Sequence, residues 1–196
     1  MPFRERVIKA LNERFCGKEA NVQFESDSLG RLISIGSEEA INSFDNDRER
    51  VFATPWFKDY WFFIRIQISP RDDEKIYISV SFFQKTDGFI KQLFRAEWDN
   101  YPPKVEYSHP QPHWHFTVQL SDNPNFGDLD TMEEEGDFGK LEGSTQSINL
   151  HRMHFAMVGD WVSSGQMINS LNDETVIVDW LIRLFVHVRK ELEYKD

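Results

Sequence analysis

Between Trp61 and Leu120 the chain alternates apolar and polar residues in four successive runs. In Trp61–Ser69, Phe62, Ile64, Ile66 and Ile68 share one parity, with Arg65, Gln67 and Ser69 on the other. In Lys75–Gln84, Ile76, Ile78, Val80 and Phe82 oppose Tyr77, Ser79 and Ser81. In Phe89–Asp99, Ile90, Phe94, Ala96 and Trp98 oppose Lys91, Arg95, Glu97 and Asp99. In Pro112–Leu120, Trp114, Phe116, Val118 and Leu120 oppose His113, His115, Thr117 and Gln119. Successive side chains of a strand point to opposite faces, so this alternation predicts half-buried strands. The connections Pro70–Asp73 and Lys85–Gly88 are short enough for hairpins. The expected core is an antiparallel meander with one apolar and one polar face.

The flanks differ in period. Phe3, Val7, Ile8, Leu11 and Phe15 fall on one helical face, and Gly17 suits a left-handed helix end. Over 172–194, Val176, Ile177, Trp180, Leu181, Leu184, Phe185, Val188 and Leu192 wrap more than half of a helix, with Asn172 or Ser170 as the cap. Segments 21–24 and 32–35 read as short strands. Ser37–Phe44 reads as one or two helical turns capped by Ser37. A mixed-parity strand is expected over 148–158. The fold class is therefore α+β: a meander of about five strands, with the N- and C-terminal helices on its apolar face. One domain over 1–196 is expected, with a mobile acidic insertion at 121–147.

Composition narrows the function classes. The net charge of −11 opposes general binding of phosphate backbones. Much of it comes from Asp122–Glu142, which holds eight acids and one base. That stretch lacks the spacing of a calcium-binding loop. The single cysteine, Cys16, cannot form an internal disulfide, and the first residues are too charged for a signal peptide, so a cytoplasmic protein is expected. The apolar stretch 176–188 is broken by Asp179, Arg183 and His187, which excludes a membrane span there. The aromatic run Trp56–Phe63 could stack bases, but its aliphatic continuation points to core packing.

Five of the six histidines lie between His109 and His154. Histidine titrates near neutral pH and is the commonest metal ligand. His113 and His115, two apart on a strand, project from one face. The polar face of the meander then gathers a candidate catalytic set of His113, His115, Arg95, Glu97, Tyr77 and His151. Arg65, Asp99, Thr117 and His109 are candidates for holding a substrate. Two chemistries suit such a set. In metal-free acid–base cleavage of RNA or another phosphodiester, Glu97 or a histidine is the base, another histidine the acid, and an arginine holds the anion. In the alternative, His113, His115 and His151 ligate a divalent transition metal. His154 shares parity with Ile148 and Leu150, which suits a core position. A non-enzymatic role is a third possibility, with the C-terminal helix serving a protein partner or a second copy.

One local run adds a family expectation. Arg95-Ala-Glu-Trp98-Asp99-Asn100-Tyr-Pro-Pro103, followed by His109-Pro110 and Pro112-His113-Trp-His115, resembles the TumE-type toxins of bacterial toxin–antitoxin modules. The resemblance covers about 25 residues, over 95–115. The chain departs from that family in length, in the acidic insertion and in both terminal helices. The resemblance implies an RNase-like role for Arg95, Asp99, His113 and His115 in a bacterial toxin or defence protein. Two phosphate-handling patterns match only in part. Thr117 stands where the histidine-triad family has its third histidine. His115-Phe-Thr117-Val fits one half of the two-histidine phosphoesterase motif, while Ala156 in His154-Phe-Ala156-Met lacks the second hydroxyl.

Overall fold

The computed structural model describes residues 1–44, 47–69, 72–86, 88–99, 111–116, 155–156 and 173–194. The four alternating runs form the strands expected of them: β5 (Tyr60–Ser69), β6 (Asp72–Thr86), β7 (Phe89–Asp99) and β8 (His113–Phe116). They pair antiparallel in chain order. The sheet extends through β1 (Phe24–Ser26) and β2 (Leu32–Ser34) on one side and β9 (Phe155–Ala156) on the other, in the order β1-β2-β5-β6-β7-β8-β9. With β3 (Glu38–Phe44) and β4 (Asp47–Phe57), the described residues hold nine strands rather than about five. The class is α+β, as expected. The acidic stretch 121–147, and all of the strand expected over 148–158 except residues 155–156, lie outside the described residues.

The helices cover the apolar face. Helix α1 (Phe3–Ala10) runs into a π-helical turn over Leu11–Phe15, and Gly17 follows with φ 75°, the left-handed end that its lack of a Cβ permits. Helix α2 spans Glu174–Tyr194. Its first turn is capped by Asp173, whose Oδ1 accepts the Thr175 N–H at 2.7 Å; the expected caps Asn172 and Ser170 lie outside the described residues. Phe3, Val7, Leu11 and Phe15 meet Ile177, Leu181, Phe185 and Val188 over the inward residues Phe62, Ile64, Ile66, Ile78 and Val80. Phe185 sits at the centre, with ring centroids 4.9 Å from Trp56 and Phe62, 5.0 Å from Phe15 and 5.3 Å from Phe82. The run Trp56–Phe63 thus packs largely into protein.

The expected helical turns at Ser37–Phe44 are a strand. β3 pairs with β4 from Glu38↔Ala53 to Phe44↔Asp47. Ser-Glu-Glu-Ala favours a helix locally, but seven residues gain a complete ladder by pairing, and tertiary context overrides the weak local preference. β4 then bends at Pro55, where its register with β5 shifts, and turns back through Lys58, which has φ 47°.

This hairpin lies over the polar face of the meander, with β3 packed across β7. Ala40, Val51 and Ala53 from the hairpin meet Phe63 and Phe83 from the sheet in a second apolar cluster. A face that alternation alone would leave to water is therefore interior. Its polar residues Ser79, Ser81, Arg65, Arg95, Glu97, His113 and His115 are all buried.

Candidate functional site

Strand register sets the site. Two cross-strand rows run over the covered face: Arg65, Ser79, Glu97 and His113 in one, and Phe63, Ser81, Arg95 and His115 in the next. A third row holds Gln67, Tyr77 and Asp99. Partners directly opposite, and diagonal neighbours one row away, lie within reach of long side chains. Glu97, His113, His115, Arg95 and Tyr77 therefore converge, as the alternation predicted.

Their contacts are close. His115 Nε2 lies 3.1 Å from Glu97 Oε2, His113 Nε2 lies 3.4 Å from the same oxygen, and the two Nε2 atoms are 2.8 Å apart. His113 is fully buried, while His115 and Glu97 are 6% and 7% exposed. The other carboxylate oxygen, Oε1, accepts the Tyr77 hydroxyl at 2.5 Å and faces Arg95 Nε at 2.5 Å. Burial alone would raise the Glu97 carboxyl. Its hydrogen bonds with the two histidines and the Arg95 charge outweigh burial, so it lies well below the usual carboxylate range. Burial and the neighbouring Glu97 charge push the Tyr77 phenol well above its usual range, so it stays protonated and donates.

Arg95 also donates to the Ser43 carbonyl, tying the site to β3. Gln92 Oε1 accepts the Ser43 N–H at 2.6 Å, and the Ser81 hydroxyl donates to Asn42 at 2.6 Å. Asn42 donates to Glu49, which pairs with Arg65. Reading Ser37–Phe44 as helix hid this set from the sequence; the period-two placement of Ala40 and Asn42 was its one signal.

The remaining candidates divide. Arg65 shares a row with Glu97 and His113, but it sits two strands from Glu97 and binds Glu49. Asp99 is tied to Gln111 just before β8: Gln111 Nε2 donates to Asp99 Oδ2 at 2.6 Å, and the Asp99 N–H donates to Gln111 Oε1 at 3.0 Å. His109, Thr117 and His151, with His154, lie outside the described residues. His187 is exposed on α2. A cleft of about 260 Å³ opens at the Arg65 end of the row, lined also by Arg31, Glu49 and Phe52. Two of its cations are engaged, Arg65 by Glu49 and Arg31 by Asp27.

The triangle of Glu97 Oε2, His113 Nε2 and His115 Nε2 has a specific capacity. Each neutral imidazole brings one N–H, so the protons on the two rings limit how many of these close contacts can be hydrogen bonds. A cation instead accepts lone pairs from all three atoms at once. The three separations leave a point about 2.0–2.1 Å from every donor, the usual ligand distance for a first-row ion, lying about 1 Å off the triangle's plane. Angles between donors at that point are about 85–110°, as on one face of a distorted octahedron or tetrahedron. Among the described residues this is the group of three histidine or acidic side chains whose donor atoms lie within 4.8 Å of one another.

No family model, no curated protein and no solved structure matches the chain. None of these comparisons bears on the resemblance of 95–115 to TumE-type toxins. Among the described residues, no helix is long and apolar enough to cross a membrane.

Proposed function

We propose that this chain is a metalloprotein whose centre is Glu97, His113 and His115, taking one divalent first-row transition ion. The observation that carries this reading is the convergence of three buried donor atoms, two nitrogens and one oxygen, within 4.8 Å. Two imidazoles and one carboxylate suit iron(II), zinc, cobalt or nickel better than the hard ions calcium and magnesium, which prefer oxygen. The third donor here is Glu97, the direct register partner of His113; His151, the third donor expected from sequence, lies outside the described residues. Metal content of protein reconstituted with Zn²⁺ or Co²⁺ and freed of excess ion tests it. One equivalent per chain is expected, falling below a tenth in His113→Ala and His115→Ala. Full occupancy in both variants would overturn the assignment.

Acid–base cleavage of RNA without metal is the second reading. It is favoured by the 3.1 Å contact of Glu97 with His115, in which the carboxylate orients the imidazole, and by Arg95 as an anion holder. The resemblance to TumE-type toxins points the same way. With both imidazoles buried, a polymer phosphate reaches them only if covering segments move, so this reading stands second. Cleavage of an RNA that persists in excess chelator and is lost in His115→Ala would favour it over the metal centre.

A further inference from the structure

The contacts of Glu97 are divided between its two oxygens. Oε2 faces both histidines, while Oε1 is held by Tyr77 and Arg95, each at 2.5 Å. Neither holder sits there by chance of rotamer. Arg95 is two residues before Glu97 on β7, so both side chains rise from one face. Tyr77 pairs with Asp99, one row beyond Glu97, and so reaches Glu97 across the diagonal.

Resting on the metal reading above, we propose that Tyr77 and Arg95 are positioning residues that hold Glu97 as a one-oxygen ligand. The number of donors around the ion is then set by two groups that never touch it. A carboxylate that chelates through both oxygens must turn Oε1 toward the ion. Here that turn would break a hydrogen bond from the Tyr77 hydroxyl to a charged oxygen, the stronger kind, and separate that oxygen from the Arg95 guanidinium with which it forms a buried ion pair. Outer partners of ligating groups commonly tune metal affinity by roughly 10–100-fold. The guanidinium also opposes the incoming charge, so Arg95 restrains affinity while it fixes geometry. Tyr77 carries no charge and acts through geometry alone.

Cobalt(II) reports this directly, because its visible bands weaken as the number of donors rises. The experiment compares the Co²⁺-loaded full-length protein with Tyr77→Phe, which removes one hydroxyl, and with Arg95→Lys, which keeps the charge but loses the planar fork. The expected result is weaker visible absorption in both variants and a Co²⁺ affinity changed by roughly 10-fold, at the lower end of outer-partner effects. Phe52→Ala, on the outer side of the hairpin, should leave both unchanged. Wild-type spectrum and affinity in Tyr77→Phe and Arg95→Lys would overturn the positioning role, even if either variant melts earlier. Failure of the wild-type chain to take up Co²⁺ would instead overturn the metal reading on which the role depends.

Discussion

Glu97 and His113 are direct partners across the β7–β8 ladder, and His113 Nε2 comes within 3.4 Å of Glu97 Oε2. The contact depends on β8 entering the sheet in one register. Asp99 and Gln111 hold the two chain ends just outside that pair, through two hydrogen bonds of 2.6 and 3.0 Å. Gln111→Ala should therefore loosen β8 and the site together. The expected cost is about 1–3 kcal/mol, because the Asp99 carboxylate and the Asp99 N–H each lose a hydrogen bond. Chemical denaturation reads the cost, and zinc affinity should fall with it. An unchanged affinity would show that β8 keeps its register without the clamp.

Gly36 joins β2 to the hairpin, and a Cβ built there would lie 2.1 Å from the Phe52 carbonyl oxygen and 2.3 Å from the Ala53 carbonyl carbon. Both obstacles are backbone, so neither can rotate away. Gly36→Ala should displace β4 and destabilise the fold by about 1–3 kcal/mol, the usual range for overpacking. The Phe83 contact with the hairpin should loosen as well, which methyl and aromatic NMR shifts of Ala53 and Phe83 would record.

Phe185 is 1% exposed and touches four other aromatic rings. Phe185→Ala should cost about 3–5 kcal/mol, since it leaves a cavity that rigid rings cannot fill. Phe185→Leu should recover much of that stability. Equal losses in the two variants would mean that the ring's shape, rather than its volume, is what the helix layer requires.

Asp27 gives a prediction in pH. Its Oδ1 accepts the N–H groups of Leu29 and Arg31, and its Oδ2 meets Arg31 Nε at 2.5 Å. Burial works to raise the carboxyl, but these bonds and the Arg31 charge outweigh it, so Asp27 lies below its usual value. A depressed carboxyl stabilises the folded state above the unfolded value of about 3.9, and that contribution is lost as pH falls through the folded value. Asp27→Asn should therefore be less stable than wild type at neutral pH. The gap should begin to narrow as pH falls below the unfolded value of about 3.9 and go on narrowing until the folded carboxyl, which holds its charge to lower pH, also protonates. Paired denaturation curves at pH 7 and pH 3 test the sign; a gap that widened in acid would contradict it.

Much of the site was legible because its strands alternate over the residues that carry it; the register shift of β7 at Leu93, which moves Ile90 from the expected face with Phe94 to the hairpin-side cluster, was not. The parity of Tyr77, Arg95, Glu97, His113 and His115 placed all five on one face, and pairing in chain order brought them into contact. The cover on that face was not legible. Ser37-Glu-Glu-Ala carries a good cap and good helix formers, and only the ladder with Val51 and Ala53 makes it a strand. With β3 unread, Asn42, Glu49 and Gln92 had no visible role, and a buried face looked like one open to solvent. That Glu97 stands directly opposite His113 depends on register at a resolution of one residue pair, which periodicity does not supply.

Strand β6 runs through the middle of the sheet, with Val80 buried against the helices and Ser79 and Ser81 buried beneath the hairpin. It is a partition with rooms on both sides and no outer wall. Along Ser79–Phe82, serine marks where the hairpin sits close, not where solvent begins. A library that treats these polar positions as tolerant surface would be sampling the interior.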